Sequence, residues 1–465
     1  MTLPMPAASD TIGLKIVTCV PRRSARIPTS SSMKGNVLRY RRSPTPSIAA
    51  FRNTIPFWAV DGLKAIDGLG RTMQDSGVRV SGDSMLGLKV HLVVTGGIAA
   101  VETVRLAREL RRHGAQIIVT MTSEAKKIIT PLAVGWATDG AVNSEWSSDL
   151  PGLSVPDVVL VAPATRNTLS KISRGAMDDP AMMAIAAASG AQKPVVLVPS
   201  MHDDLFDDPV TSDLLEDMER LGHHLLISPS DEGRRKQPPP DVIVRRTSSI
   251  VNGAREGTSS VAVIYGATEA KIDPVRVITN ASSGRTGVVL SDHLERMGHR
   301  IIRVAGATEY PGPYPDIVAR TPMEMIEAVD MIMEKQIPDV WIVAAAVLDY
   351  QPIAASAQKI SSGLGGISID LEPAPRLLHH IKEASPSSRV LSFKLETGVT
   401  PDELIARSRS HLEASRCDAV VANLMEHLHG AGPRGYLVTP EDEVTLHGPA
   451  DLCRVVESMI SRWSS

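Results

Sequence analysis

The sequence predicts an α/β fold with two doubly wound domains, each built on a mainly parallel sheet. Short apolar runs alternate with stretches of helical spacing, first over residues 88–200 and again from about residue 260. This alternation is typical of open parallel sheets covered by helices on both faces. At 465 residues the chain exceeds one ordinary domain, and a hydrophobic content of 43% suffices for two cores. Only 3% of the residues are aromatic, so aliphatic side chains must fill those cores, as they do around buried parallel strands.

Residues 1–85 differ in composition from the rest of the chain. Arginine recurs among serine and proline, and no acidic residue lies between Asp10 and Asp61. Such a segment packs poorly and predicts a basic, disordered extension. Two alternatives stay open: an organelle transit peptide, which is also rich in Arg and Ser and poor in acidic residues, and a start codon upstream of a true start near Met73 or Met85.

The first predicted domain covers residues 86–255. It opens with a β-α-β unit, which consists of the strand LKVHLVV, a TGG turn, the helical stretch AAVETVRLARELRRHG and the strand AQIIVTMT. The strands DVVLVAPA and PVVLVPS follow, with one helical stretch between them. GRRKQPPPD predicts a loop, a short helix is expected after it, and NGAREGTSS (252–260) predicts the linker to the next domain.

The second predicted domain covers residues 256–465 and restarts the same rhythm. In order, the segments are the strand VAVIYGAT, the junction ITNASSGRTG, the helix VVLSDHLERMG, the strand HRIIRVAG, the helix TPMEMIEAVDMIMEKQ and the strand VWIVAAAV. A second doubly wound sheet is therefore expected from about residue 260.

Charge and cysteine content restrict the class of protein. The formal net charge of -3 argues against nucleic acid as a partner. The three cysteines show neither metal-ligand nor redox spacing, which predicts a reducing compartment, the cytoplasm. No apolar run approaches the roughly 20 residues that cross a bilayer, so no membrane partner is expected.

Three small or polar turns end strands of the first predicted sheet. They contain Gly96 and Gly97, Thr165, and Ser200. Ligands of open α/β sheets bind at the carboxyl edge, where these turns meet. The dinucleotide pattern G-x-G-x-x-G is absent, which argues against an NAD-dependent dehydrogenase.

These segments resemble the flavin-dependent cysteine decarboxylases, which have a flavodoxin-like fold and bind FMN between the subunits of a trimer. The resemblance is carried by TGGIAAVETVRLARELRRHGA, Met121-Thr122, APATRNT and PSMH. It implies substrate contact by Asn167 and a catalytic role for His202, a replacement for Asn that is typical of archaeal-type members. It also implies FMN contacts from Gly96, Gly97, Ile98, Thr122, Pro163, Ala164 and Thr165.

The sequence departs from the decarboxylase pattern at two places. The family has a histidine, its catalytic base, just before the APA strand, whereas residues 146–156 contain none and offer only Asp149. An ordinary Asp, with a pKa near 4, is a poor proton acceptor. The flap cysteine is also missing, although the EGRRK stretch is similar to the corresponding loop of archaeal-type relatives.

The junction ITNASSGRTG predicts a phosphate site. Its glycines let the backbone approach an anion at a helix start, while Ser282 and Ser283 add hydroxyl donors and Arg285 adds charge. Ser282, Ser283 and Gly284 are the predicted phosphate-binding residues. A plain helix cap would need only a serine and a glycine.

The wider string from Tyr265 to Gly284 closely resembles the phosphopantothenate–cysteine ligases, and so do AAAVLDY, QKI, LEPAPRLL, SFKLET and CDAVVAN in the same order. The resemblance implies a Rossmann-like domain that activates 4'-phosphopantothenate with CTP, through an acyl-cytidylate that cysteine then attacks. Lys359 would stabilise the developing negative charge and Asn280 would hold the acyl-cytidylate. The implied CTP-binding residues are Ala344, Ala345, Asp349, Lys359, Pro375, Arg376, Leu377, Leu378 and Phe393. Mg²⁺ is implied with CTP, and the sequence does not identify its ligands.

Together the two resemblances imply a bifunctional enzyme of coenzyme A biosynthesis. The second half would make 4'-phosphopantothenoylcysteine, and the first half would decarboxylate it with FMN to 4'-phosphopantetheine. The alternative is an active ligase fused to an inactive flavin-binding scaffold, because the usual base is missing. The partners expected are small-molecule substrates and further copies of the chain, since the related flavin domains form trimers and the ligases form dimers.

Overall fold

The computed structural model describes residues 77–146, 156–361, 365–427 and 432–464, which belong to one compact unit. It contains two large, mainly parallel sheets with helices on both faces, so the predicted fold class is confirmed. The predicted basic extension lies outside the described residues as far as residue 76. Its last residues are packed: Ser81 N–H donates to Arg112 O at 2.9 Å, and Met85 is fully buried.

The first sheet has six parallel strands in the order β3-β2-β1-β4-β5-β7. Its central strands are buried on both faces, which explains their continuous apolar sequences. Helices α1, α2 and α7 cover one face, and α3, α4 and α6 cover the other. The elements are β1 (Lys89–Val94), α1 (Thr103–Arg112), β2 (Gln116–Met121), α2 (Pro131–Thr138), β3 (Val142–Asn143), β4 (Val158–Ala164), α3 (Arg166–Ser173), α4 (Pro180–Gly190), β5 (Val195–Pro199), β6 (Met201–His202), α5 (Asp203–Phe206), α6 (Pro209–Arg220), β7 (His224–Leu225), β8 (Ser230–Asp231), β9 (Arg234–Arg235) and α7 (Pro240–Asn252).

Two predictions for the first half need correction. The single helical stretch after β4 is two helices, because Gly175 adopts a left-handed φ of 66° and the Asp179 carboxylate caps α4 by accepting the Ala181 and Met182 N–H groups. The predicted loop around residue 233 contains a hairpin of β8 and β9 that pairs with β6.

The second sheet has eight strands in the order β14-β13-β10-β15-β18-β19-β20-β21, and only its last two pairings are antiparallel. Helices α8 and α12 pack on one face and α9, α10 and α11 on the other. The elements are β10 (Ser260–Ala267), β11 (Glu269–Lys271), β12 (Val277–Thr279), α8 (Arg285–Arg296), β13 (Arg300–Ala305), β14 (Ile317–Val318), α9 (Pro322–Lys335), β15 (Val340–Ala346), β16 (Tyr350–Pro352), β17 (Leu371–Pro373), α10 (Leu377–Ala384), β18 (Arg389–Glu396), α11 (Pro401–Ser415), β19 (Ala419–Leu424), β20 (Gly435–Val438), β21 (Glu443–Leu446) and α12 (Pro449–Trp463).

The two sheets are joined through α7. Its last residue, Asn252, is fully buried and donates to Ser84 O at 2.8 Å and to Arg296 O at 2.6 Å. Arg245 and Arg246 of α7 also pair with Glu295 of α8, at 3.4 and 3.1 Å. The linker is therefore shorter than predicted, because Asn252 belongs to the packed helix.

Two further sequence expectations concern membranes and thiols. None of the described helices has the length and apolarity that a bilayer crossing needs. Within the described ranges, Cys417 and Cys453 are free thiols and both are buried.

Candidate active sites

The turns that end β1 and β4 are bonded to each other at the carboxyl edge of the first sheet. The Thr95 hydroxyl donates to Pro163 O at 2.7 Å and accepts the Thr165 N–H at 3.3 Å. The Ala162–Pro163 peptide bond is cis. Ser200, after β5, donates its N–H to Ala164 O at 3.4 Å. The three turns singled out in the sequence therefore meet at one edge.

The glycines of the first turn are fixed by their neighbours. A Cβ at Gly96 would overlap the Glu124 side chain, whereas a Cβ at Gly97 would lie 3.4 Å from the side chains of Pro163 and Thr165. Ile98, which begins a short 3-10 helix, leaves 76% of its side chain exposed. The start of a helix presents backbone N–H groups that an anion can bind.

The remaining residues predicted for FMN lie at the same edge. Thr122 follows β2 and donates its N–H to Val94 O at 3.1 Å. Pro163 and Ala164 end β4, and Thr165 caps α3 by accepting the Thr168 N–H. The predicted FMN set is thus brought together by the turns after three adjacent strands, β2, β1 and β4.

The two predicted decarboxylase residues are exposed close to this edge. Asn167 lies in the first turn of α3, and His202 lies on β6, opposite Arg234 of β9. The hairpin that carries Arg234 was missed in the sequence. Its turn residues Glu232 and Gly233 both adopt left-handed φ angles, 53° and 74°, as a tight hairpin turn requires, but only the glycine favours such a turn in the sequence. Asp149, the other candidate base, lies outside the described residues.

His91 belongs to the core and not to the site. It lies in the middle of β1, is 1% exposed, and bonds through Nε2 to the Thr120 hydroxyl at 2.8 Å. Burial lowers the pKa of this imidazole from 6.5 to about 4, so it is neutral at physiological pH.

The second sheet has a cavity of about 690 Å³ at its carboxyl edge, between β15 and β18 and under α10 and α11. Most residues predicted to bind CTP line it: Ala345, Asp349, Pro375, Arg376, Leu377, Leu378 and Phe393. Ala344 packs on the opposite face of the sheet because successive strand residues alternate. Four polar residues that were not predicted to bind CTP also line the cavity: His379, Ser392, His411 and Ser415.

The end of β15 is held by two polar side chains from the preceding chain segment. Asn280 donates through Nδ2 to Ala346 O and to Val347 O, both at 3.1 Å. The Thr268 hydroxyl accepts the Leu348 N–H at 2.8 Å. Asn280 is therefore fixed beside the segment that leads to Asp349 in the cavity wall.

The start of α8 has a shape that only glycine allows. Gly284 adopts a φ of 72°, and a Cβ there would overlap the Thr308 hydroxyl, which donates to Ser283 O at 2.8 Å. A Cβ at Gly287 would overlap Tyr265. The helix start is thereby held close to β10. The Ser282 hydroxyl accepts the Gly284 N–H and the Ser283 hydroxyl accepts the Arg285 N–H, both at 3.4 Å.

Two arginines flank this helix start. Arg434, in the loop before β20, donates to Asn423 Oδ1 at 3.1 Å and to the Thr286 hydroxyl at 3.2 Å. Arg285 stacks over the Tyr310 ring at 5.5 Å. Among the described residues neither forms an ion pair with a carboxylate. Burial, and then the charge of Arg285, lower the pKa of Arg434. Arg434 was missed because it lies in no recognisable motif.

Lys359 lies outside the cavity lining and its side chain is exposed. Its neighbour Ile360 is bonded to the turn between β11 and β12. Two arginines of α11 are engaged in ion pairs: Arg407 pairs with Glu396 at 3.0 Å, and Arg409 pairs with Glu443 at 2.8 Å.

In the part of the chain that the structure describes, no group of three or more His, Cys, Asp or Glu side chains is arranged to hold a metal ion.

The fold and the sites define an α/β protein with two doubly wound sheets, each with a candidate site at its carboxyl edge. Residues 79–252 match the family described as Flavoprotein, and residues 257–446 match the DNA/pantothenate metabolism flavoprotein C-terminal domain. The chain is similar to the coenzyme A biosynthesis bifunctional protein CoaBC of Thermococcus kodakarensis, with 35% identity over 74% of this chain and 86% of the relative. The CoaBC proteins of Methanocaldococcus jannaschii and Bacillus subtilis are 30% and 28% identical over 74% of this chain, and the matches cover 85% and 87% of those proteins. The chain belongs to this family of bifunctional coenzyme A biosynthesis proteins, as the sequence motifs predicted.

Proposed function

We propose that the chain catalyses two successive steps of coenzyme A biosynthesis. The second half joins 4'-phosphopantothenate to cysteine at the expense of CTP, and the first half decarboxylates the product to 4'-phosphopantetheine. The observation that carries the proposal is the cavity of the second sheet, which most of the predicted nucleotide-binding residues line. The start of α8, at the same edge of that sheet, offers hydrogen-bond donors for a phosphate group.

The ligase step follows from the chemistry of a carboxylate, which is a poor electrophile until it gains a good leaving group. Transfer of a cytidylyl group to 4'-phosphopantothenate, with release of pyrophosphate, supplies that group, and the cysteine amine then displaces CMP. Asp349, Phe393 and the Pro375–Leu378 segment would bind the nucleotide. Asn280 would orient the acyl-cytidylate, and Lys359 would stabilise the negative charge.

The phosphate of 4'-phosphopantothenate would bind at the start of α8. Backbone N–H groups, the Ser282 and Ser283 hydroxyls and the helix dipole all favour an anion there. Arg434 and Arg285 add two positive charges that no carboxylate of the described chain neutralises. Mg²⁺ would accompany CTP and neutralise part of the negative charge on its phosphates.

The residues of the first site fit FMN. The turn at Gly97 approaches Pro163 and Thr165 closely enough to form one wall, and the exposed Ile98 leaves an apolar surface for an isoalloxazine ring. Bound FMN would supply reversible two-electron redox chemistry: the cysteinyl thiol group is oxidised, the carboxylate leaves as CO₂, and the same two electrons then reduce the decarboxylated product to the thiol. Asn167 and His202 would orient that carboxylate and thiol.

The second candidate function is an active ligase fused to a flavin-binding scaffold that does not decarboxylate. The absence of histidine from residues 146–156 favours it. Absorbance near 450 nm and CO₂ release from synthetic 4'-phosphopantothenoylcysteine separate the two candidates. Flavin-loaded protein that releases CO₂ supports the bifunctional enzyme, and flavin-loaded protein that releases none supports the scaffold.

The ligase proposal is tested with the full chain, by following pyrophosphate release from CTP in the presence of 4'-phosphopantothenate, cysteine and Mg²⁺. We expect Lys359→Gln to lower turnover by about a hundredfold, the size of effect seen when one preorganised charge-stabilising group is removed. Lys335→Gln, at the exposed end of α9, is the matched control and should retain full turnover. Near-normal turnover of Lys359→Gln would contradict the role of this lysine.

Two further expectations stay predictions. The chain is expected to form homo-oligomers, with trimeric contacts between flavin domains and dimeric contacts between ligase domains. It is also expected in the cytoplasm, where the buried thiols of Cys417 and Cys453 would remain reduced.

A further inference from the structure

The turn between β11 and β12 holds the chain segment that carries Lys359. The Asp273 carboxylate accepts the Val275 and Arg276 N–H groups through Oδ1, at 2.7 and 2.8 Å. Its other oxygen, Oδ2, accepts the Ile360 N–H at 3.2 Å and the Arg276 guanidinium at 2.6 Å. One carboxylate thus shapes its own turn and binds a backbone group 87 residues further along the chain.

Arg276 completes the attachment. The guanidinium nitrogen that pairs with Asp273 also donates to Ile360 O at 3.1 Å. Both backbone polar groups of Ile360 are therefore bonded to the same ion pair. A third bond, from Ser356 N–H to Ile272 O at 2.9 Å, fixes the segment before Lys359.

The burial of Asp273 contrasts with the exposure of the segment it holds. Its side chain has no exposed surface, whereas residues 353–359 are all exposed. Burial acts to raise the pKa of Asp273, but the hydrogen bonds from Val275, Ile360 and Arg276 outweigh it and lower that pKa to about 2. The carboxylate is therefore ionised at neutral pH, and a buried carboxylate is tolerated only where such bonds satisfy it.

This arrangement leaves Lys359 with an anchored backbone and an exposed side chain. The bonds to Ile360 are one residue away and hold the Lys359 backbone in place, while its exposed ammonium stays accessible to a bound substrate. Catalysis by a positioned charge requires that its origin be held, because a displacement of about 1 Å can cost a hundredfold in rate.

We propose that Asp273 is a positioning residue for the ligase reaction: with Arg276 it anchors the backbone beside Lys359 and so determines where the lysine ammonium can reach. The inference rests on the proposed role of Lys359 in ligation. Asp273 itself does not line the cavity of the second sheet.

The test is a double-mutant cycle in the full chain, with Asp273→Ala, Lys359→Gln and the combined variant, read by CTP-dependent pyrophosphate release. Asp273→Ala should lower kcat by about tenfold or more and change KM for CTP by no more than about twofold, because the cavity walls are untouched. In the Lys359→Gln background, Asp273→Ala should cause no further loss beyond about twofold, since the group it positions is gone.

Asp418→Ala is the matched control. Asp418 also combines a backbone bond and an arginine pair, with Val390 N–H at 2.8 Å and Arg389 at 2.7 Å, but lies at the amino edge of the same sheet. It should leave kcat unchanged. Asp273→Asn retains an acceptor for the Ile360 N–H and should keep part of the activity that Asp273→Ala loses. It also keeps the proposal testable if the alanine variant does not fold, and melting curves of all variants show which of them are folded.

The outcomes separate the two proposals. If wild-type protein is inactive, or if Lys359→Gln is as active as wild type, the proposed function of this site fails. If Lys359→Gln is impaired and Asp273→Ala either has no effect or reduces both backgrounds by the same factor, the positioning role of Asp273 is overturned.

Discussion

Replacement of Gly284 by alanine should weaken phosphate binding and also lower the stability of the fold. A left-handed φ costs an alanine about 1–2 kcal/mol, and the Gly284 φ of 72° incurs this cost. The new Cβ would also overlap the Thr308 hydroxyl and lie 2.9 Å from its Cβ. Displacing Thr308 loses its bond to Ser283 O, which adds about 1 kcal/mol. The expected loss of stability is therefore about 2–3 kcal/mol.

The functional effect follows from the same displacement. Ser283 and the first N–H groups of α8 move with the loop, and loss of one hydrogen bond to a charged phosphate costs about 1.5–3 kcal/mol. This corresponds to a rise of about ten- to hundredfold in KM for 4'-phosphopantothenate. Steady-state pyrophosphate release gives that constant, and urea unfolding gives the stability.

Gly175→Ala is the matched control. Gly175 also has a left-handed φ, 66°, but a Cβ there has no neighbour within 4 Å and the residue lies between α3 and α4 of the other half. It should cost only the 1–2 kcal/mol of backbone strain and leave KM unchanged. If both variants show the same KM, the inferred phosphate site at the start of α8 is refuted.

Two further predictions concern a charge and a buried imidazole. Arg434→Met should raise KM for 4'-phosphopantothenate about tenfold in the pyrophosphate assay, whereas Arg389→Met, at the opposite edge of the sheet, should not; equal constants would exclude Arg434 from the site. The pKa of His91 is about 4 in the folded chain, against 6.5 for an unperturbed imidazole. As the pH falls, the imidazole is therefore protonated in the unfolded chain before it is protonated in the folded chain. About 3 kcal/mol of stability is lost between pH 6.5 and pH 4 for this reason. Replacing both bonded partners, with His91→Leu and Thr120→Val, should abolish this loss of stability at low pH, as measured by the free energy of opening of the β1 amides in hydrogen exchange. At pH 7.5 that free energy should be similar in the variant and the wild type. If the variant keeps the pH dependence of the wild type, the lowered pKa of His91 is not its cause.

The sequence was most informative where strands are buried on both faces. Strands such as β1, β4 and β10 read as continuous apolar runs because helices cover each side of them, so their number and direction could be predicted. The hairpin of β8 and β9 could not, since Ser230–Asp231 and Arg234–Arg235 are short, polar and exposed and gain their pairing only from β6.

The same distinction applies to the candidate sites. Residues in turns next to strand ends, such as Gly97 and Asn280, could be proposed because small and polar residues follow apolar runs there and because these segments resemble the motifs of the two families. Arg434 and Asp273 were not assigned roles from the sequence, because their roles depend on distant partners. Arg434 bonds to Thr286, 148 residues away, and Asp273 bonds to Ile360, 87 residues away. No local periodicity reports such a contact.

The charged groups between α7 and α8 also bear on how the halves of the chain stay together. Arg245 and Arg246 come from the flavoprotein match, and the Glu295 carboxylate that they share comes from the other match. Asn252 reaches the backbone on both sides. The two halves are thus held together by these contacts as well as by the covalent chain. A proteolytic cut just after α7 would leave most of the contacts between the halves intact.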